Sequence, residues 1–152
     1  MNRSAALSTE DINIRDPFIV PISEEGRYYL FGTTGAETWE PPAHGFNAYV
    51  SPDLVHWDGP HRVFEPPEGF WSDRNYWAPE VHITRGRTYM LASFKSADAA
   101  RGTQVLIADH PRGPFRPHSD GPVTPRAWEC LDGTLFVDAS GNPWMVFCHE
   151  WV

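Results

Sequence analysis

The chain has 152 residues, of which 41% are hydrophobic and 14% aromatic, so disorder by composition is excluded and a packed core is within reach. Its formal net charge of -8 argues against a nucleic-acid or anionic-membrane partner, since both require clustered Lys and Arg. A neutral carbohydrate is compatible with that charge. Cys130 and Cys148 show no zinc-site spacing and are read as free thiols, with a disulfide left open.

The first residues, MNRSAALSTEDINIRD, contain no apolar stretch and meet acidic residues early. They do not read as a signal peptide, and a cytoplasmic location is expected. Residues 1–12 are taken as an extension to one domain filling 1–152. Beyond them, fifteen Pro and twelve Gly break the chain before an amphipathic helix can establish itself. Short runs rich in Val, Ile, Phe, Tyr and Trp lie between the breaks: 17–21, 27–33, 47–51, 80–84, 88–94, 104–109, 134–138 and 143–149. The fold class is therefore all-β, built from hairpins.

The hairpins repeat. RDPFIVPISEEGRYYLFGT (15–33), WAPEVHITRGRTYMLASF (77–94) and LDGTLFVDASGNPWMVFCH (131–149) each give a strand, a Gly-bearing turn and an aromatic-led strand. Their leaders Tyr28, Tyr89 and Trp144 are spaced like propeller blades of roughly 55–60 residues. FNAYVSPDLVHWDGP (46–60) and TQVLIADHPRGPFRP (103–117) read as the outer strands of the first two blades. The chain then holds about two and a half blades, fewer than a closed ring of four or more requires. Because residues 147–152 still read as strand, truncation at the C-terminus is expected.

Superposed by register, the repeats place Asp16, Ala78 and Asp132 at one position, just before the first strand of each hairpin. The innermost strands of a propeller start at a common funnel, so two carboxylates are aimed into one cavity. Paired carboxylates are the machinery of glycoside hydrolysis. Taken singly, Asp16-Pro17 and Asp132-Gly133 are also ordinary turn signals.

Here the sequence resembles glycoside hydrolase family 43. Arg15-Asp16-Pro17-Phe18-Ile19 with Tyr28-Tyr29-Leu30-Phe31-Gly32-Thr33 is similar to the opening blade of that family. Trp77-Ala78-Pro79-Glu80-Val81 is similar to its second blade, and Cys130-Leu131-Asp132-Gly133-Thr134-Leu135-Phe136 to its third. Ser51-Pro52-Asp53-Leu54-Val55-His56-Trp57 resembles a strand exit found in the same enzymes. The resemblance implies a five-bladed β-propeller that hydrolyses arabinose- or xylose-containing glycans with inversion. It makes Asp16 the general base and Asp132 the carboxylate that raises the pKa of the acid. The acid itself, a Glu, is expected about one blade beyond Asp132, past residue 152, so the chain alone is expected to be inactive.

Trp77 is expected to wall the sugar subsite, or else to pack between blades. Arg15, Phe31 and Trp71 are the other candidate substrate contacts. Arg15 either pairs with a carboxylate or covers the blade surface, and Trp39, Phe70 and Trp71 sit in longer loops that rim the site. Glu150 is placed away from the funnel. Glu129-Cys130 is similar to the acid motif of the fructan- and sucrose-cleaving propellers of family 32, which gives a retaining alternative with Glu129 as acid. A non-catalytic carbohydrate-binding propeller is the other alternative. Long loops at 34–45 and 58–76 favour exo action. No cofactor or metal is expected; the resemblance leaves a structural calcium open, and Asp138–Asn142 lacks the acidic alternation of a calcium loop.

Overall fold

The structure is a computed structural model that describes residues 6–35, 38–39 and 41–151. It forms two complete blades and a third hairpin. The first blade contains β1 (Leu7–Ser8), β2 (Ile14–Ile22), β3 (Arg27–Thr34), β4 (Phe46–Ser51) and β5 (His56–Phe64). β2 is innermost, and β1 pairs on the outer edge of β5. The second blade runs outward through β6 (Arg74–Thr84), β7 (Arg87–Lys95), β8 (Gly102–Ala108) and β9 (Arg116–Pro117). The third hairpin is β10 (Cys130–Val137) and β11 (Pro143–His149). All pairings are antiparallel.

Local chemistry explains the hairpins. Thr84 pairs with Arg87 across a two-residue turn in which Arg85 and Gly86 have φ of 51° and 71°. Two left-handed residues in sequence match the right-handed twist of the flanking strands, and Gly86 takes the second place without a Cβ clash. Alternation along β3 then divides its side chains between two cores. Tyr29 and Phe31 enter the layer between the first two blades, while Tyr28 and Leu30 face Ile12, Tyr49 and Trp57 on the other side.

The interblade layer is mainly aromatic. Phe46 and Phe64 of the first blade meet Tyr76 and Phe94 of the second, and Phe94 lies 4.8 Å from Tyr76 between ring centroids. Each ring so buried stabilises the fold by roughly 1.5–3 kcal/mol relative to exposure. Phe31 belongs to this layer, with no exposed surface and its ring edge-on to Phe115. It is therefore a core residue, and its expected role as a substrate contact is corrected.

Two strand readings are also corrected. β5 fills most of what reads in sequence as the start of a long loop; Asp58, Gly59 and Pro60 in its middle disguise it. The genuine connection there is 65–73. Asp16, Ala78 and Asp132 lie inside their strands, where sequence reading placed them just before.

Candidate active site

Asp16, Ala78 and Asp132 occupy the same kind of bulge on the three inner strands. Arg15 pairs with Thr33 and Phe18 with Phe31, so Asp16 and Pro17 together oppose Gly32. Likewise Ala78 and Pro79 oppose Ala92, and Asp132 and Gly133 oppose Phe147. Each first bulge residue is left-handed, with φ of 51°, 44° and 53°. Asp adopts that region more readily than most residues, whereas Ala has no such preference and is held there by the fold. A bulge re-aims a side chain out of the strand's alternation. Proline is tolerated as the second bulge residue because no ladder bond is asked of it there.

A buried hydroxyl ties the second and third bulges each to the preceding blade. The Ala78 amide donates to Thr33 Oγ1 at 2.8 Å, and the Asp132 amide donates to Ser93 Oγ at 3.1 Å. Thr33 and Ser93 pair with Arg15 and Trp77, so they hold matching positions on β3 and β7. Thr33 also donates to Asp16 Oδ2 at 2.9 Å, and thus joins the second bulge to the first carboxylate. Thr33→Val keeps the shape but removes both bonds. It is expected to destabilise the protein by about 1–3 kcal/mol, because a buried N–H loses its acceptor. Urea unfolding measures this, with Thr33→Ser, which keeps the hydroxyl, expected close to the native value.

Asp132 remains open to solvent, but the walls around it exclude enough water that desolvation leads an upward shift of its carboxyl pKa. The negative charges of Asp16, Glu80 and Glu150 add to that shift, and Arg101 opposes it. Asp132 therefore senses the charge of Asp16.

Trp77 is half-buried at the start of the second bulge. Its Nε1 donates to the Thr38 carbonyl at 2.7 Å, and its ring meets Trp39 edge-on at 4.7 Å. Arg15 lies 5.3 Å over the Trp39 ring and its Nη2 bonds Thr38 Oγ1, so it covers an aromatic surface, and among the described residues it pairs with no carboxylate. Arg15, Trp39 and Trp77 form one continuous wall.

Trp71 is not part of that wall. Its Nε1 donates to Gln104 Oε1 at 2.6 Å, and it lines a separate hollow of about 420 Å³ with Phe70 and Arg126. Its expected place at the funnel is corrected: the Gln104 bond draws the indole over β8, an outer strand. Glu150 moves the other way. An antiparallel hairpin returns to its starting end, and Glu150 N donates to Glu129 O at 2.8 Å. Glu150 therefore sits beside the start of β10, near Asp132, ion-paired to Arg101.

Glu129 accepts from Lys95 Nζ and from the Arg101 amide at 2.7 Å. Burial pushes its carboxyl pKa up, but these donors outweigh burial and hold it below the ordinary glutamate value. A glutamate kept ionised is a poor proton donor, which disfavours the retaining alternative.

Sequence reading missed Trp128, which stacks on His149 with centroids 4.3 Å apart and planes 9° from parallel. It also missed Arg101 and Asn75. Trp128 carried a signal in its position just before the third repeat; Arg101 carried none. Among the described residues, no three His, Cys, Asp or Glu gather as metal ligands.

Residues 11–152 match the family described as glycosyl hydrolases family 43. The chain belongs to glycoside hydrolase family 43. Among family relatives, it is 26% identical to the extracellular endo-alpha-(1->5)-L-arabinanase 1 of Bacillus subtilis (strain 168), across 91% of this chain and 44% of that protein. The crystal structure of an endo-arabinase from Bacteroides thetaiotaomicron VPI-5482 superposes with a TM-score of 0.86 and 36% identity, over 98% of this chain and 50% of that one. The structure of a thermostable family-43 glycoside hydrolase gives 0.74 and 27%, over 88% and 41%. The chain thus spans half or less of the length of these relatives, and its blades are part of a family 43 propeller.

Proposed function

We propose that this chain contributes the general base and the pKa-setting carboxylate of an inverting glycosidase that cuts arabinan internally. The observation that carries the proposal is the equivalence of Asp16 and Asp132 on matching bulges of the first and third inner strands, either side of the Ala78 bulge. Asp16, fixed by Thr33, takes a proton from water as the water oxygen bonds to the anomeric carbon. The bond from that carbon to the leaving oxygen breaks, and a carboxylic acid protonates that oxygen. In this reading the acid is a further Glu, about one blade beyond Asp132, as the family resemblance implies. Asp132 remains the nearby negative charge that keeps the acid protonated before the step.

Ala78, the third bulge residue, carries only a methyl group. It leaves room between the carboxylates, and Trp77 beside it offers an apolar face to a sugar ring. The relatives named as arabinanases support arabinan as the substrate and endo action, in place of the exo action that loop lengths favour. The experiment is hydrolysis of linear 1,5-arabinan and of xylan by the protein including the downstream blades, with product anomers followed by proton NMR. Internal cleavage of arabinan with inversion is the expected result. Retention of configuration would overturn the mechanism, and preference for xylan would overturn the substrate.

A further inference from the structure

Arg101, in the connection between β7 and β8, is set among four segments that carry the site. Its guanidinium carbon lies 4.4 Å over the Trp77 ring. Nη2 donates to Asn75 Oδ1 at 3.4 Å, and Nη1 pairs with Glu150. Its amide donates to Glu129, and its carbonyl accepts from the Cys130 amide at 2.9 Å. Asn75 in turn donates to the carbonyls of Thr38 and Trp39, both at 3.4 Å. The side chain is only 11% exposed. Nε is buried and has no hydrogen-bond partner among the described residues.

We propose that Arg101 is a positioning residue that locks the Trp39–Trp77 wall and the Asp132 bulge into one unit. Lys in this place keeps a charge but loses the flat fork that stacks on Trp77 while reaching Asn75 and Glu150. The same placement puts a positive charge against the carboxylates around Asp132. Those facing it are Asp16 from β2, Glu80 from β6 and Glu150 after β11, and Arg101 alone of the named groups acts to lower its pKa. The role in sugar binding rests on the arabinan reading; the role at Asp132 does not.

The test is a ¹³C NMR titration of the Asp132 carboxyl, assigned with Asp132→Asn, together with the Trp77 indole resonance. Arg101→Met is expected to move the Asp132 midpoint to higher pH and to shift the Trp77 signal. Glu150→Gln is expected to move the midpoint to lower pH. If Arg101→Met does not fold, Arg101→Lys decides, with a midpoint near the native one and a shifted Trp77 signal. A native midpoint in folded Arg101→Met, or an unmoved Trp77 signal in Arg101→Lys, would overturn the proposal. Arabino-oligosaccharide affinity, measured by calorimetry, is expected to fall roughly tenfold in Arg101→Lys. Failure of the native protein to bind these sugars sinks the arabinan reading and leaves the Asp132 result standing.

Discussion

Asp16→Asn is expected to lower kcat for arabinan hydrolysis by about 10²–10⁴-fold, the usual contribution of a positioned general base. The amide is nearly isosteric with the carboxylate and accepts the Thr33 hydrogen bond through its oxygen, so the bulge and the clasp to Ala78 are retained. What it cannot do is take a proton from water. KM is expected to change little, because the loss falls in the transition state. Unfolding midpoints should stay near native, which separates this variant from Thr33→Val. The assay uses a chain that carries the further blades the proposed mechanism requires. Activity within a few-fold of native in Asp16→Asn would remove Asp16 as the base. There is also an expected echo at Asp132: with the Asp16 charge gone, one cause of its raised pKa disappears and its midpoint should fall.

Much of this site was legible because the bulge has a sequence form. The Asp-Pro, Ala-Pro and Asp-Gly pairs sit at one register, and each second residue suits a place that asks for no ladder bond or no Cβ. At Gly133 an added Cβ would lie 2.5 Å from Thr103 Cγ2, so the Asp-Gly pair marks a close approach as much as a turn. Asp-Gly serves both purposes, so a turn and a bulge are equally compatible with the pair in sequence. The strand pattern of β3 was equally plain, yet it did not say which alternate residues meet another blade. That is why Phe31, beside the site in sequence, proves to be core.

Other parts were not legible because they depend on contacts distant in sequence. Arg101 is 24 residues from Trp77 and 49 from Glu150, and no local pattern marks it. Glu150 is far from Asp132 along the hairpin, yet the antiparallel return of the second strand brings it back to the starting end. Trp71 sits in a loop of the right length, but the Gln104 hydrogen bond draws it to an outer strand. Exposed Phe136, Trp144 and Val146 on β10 and β11 fit the aromatic-led repeat, although sequence could not show that this sheet face lies open in the described residues.

Phe94→Ala carries the largest expected loss of stability, about 3–5 kcal/mol. The ring is fully buried and meets Phe46, Phe64, Phe70, Trp71 and Tyr76. Aromatic neighbours anchored on two blades cannot all collapse into the space it leaves, so a cavity penalty adds to the lost burial. For a chain of this size the melting temperature should fall by roughly 6–20 °C. The consequence reaches the site through one peptide bond. Ser93, the residue before it on β7, points to the opposite face and holds the Asp132 amide. Loosening Phe94 therefore loosens the clasp on Asp132, and faster amide exchange at Asp132 is expected in the variant. Phe94→Leu fills most of the space and should lose less than half as much stability. A Phe94→Ala protein with native stability would show that the blades are held by something other than this aromatic layer. Normal stability loss with unchanged exchange at Asp132 would instead separate the core from the bulge it supports.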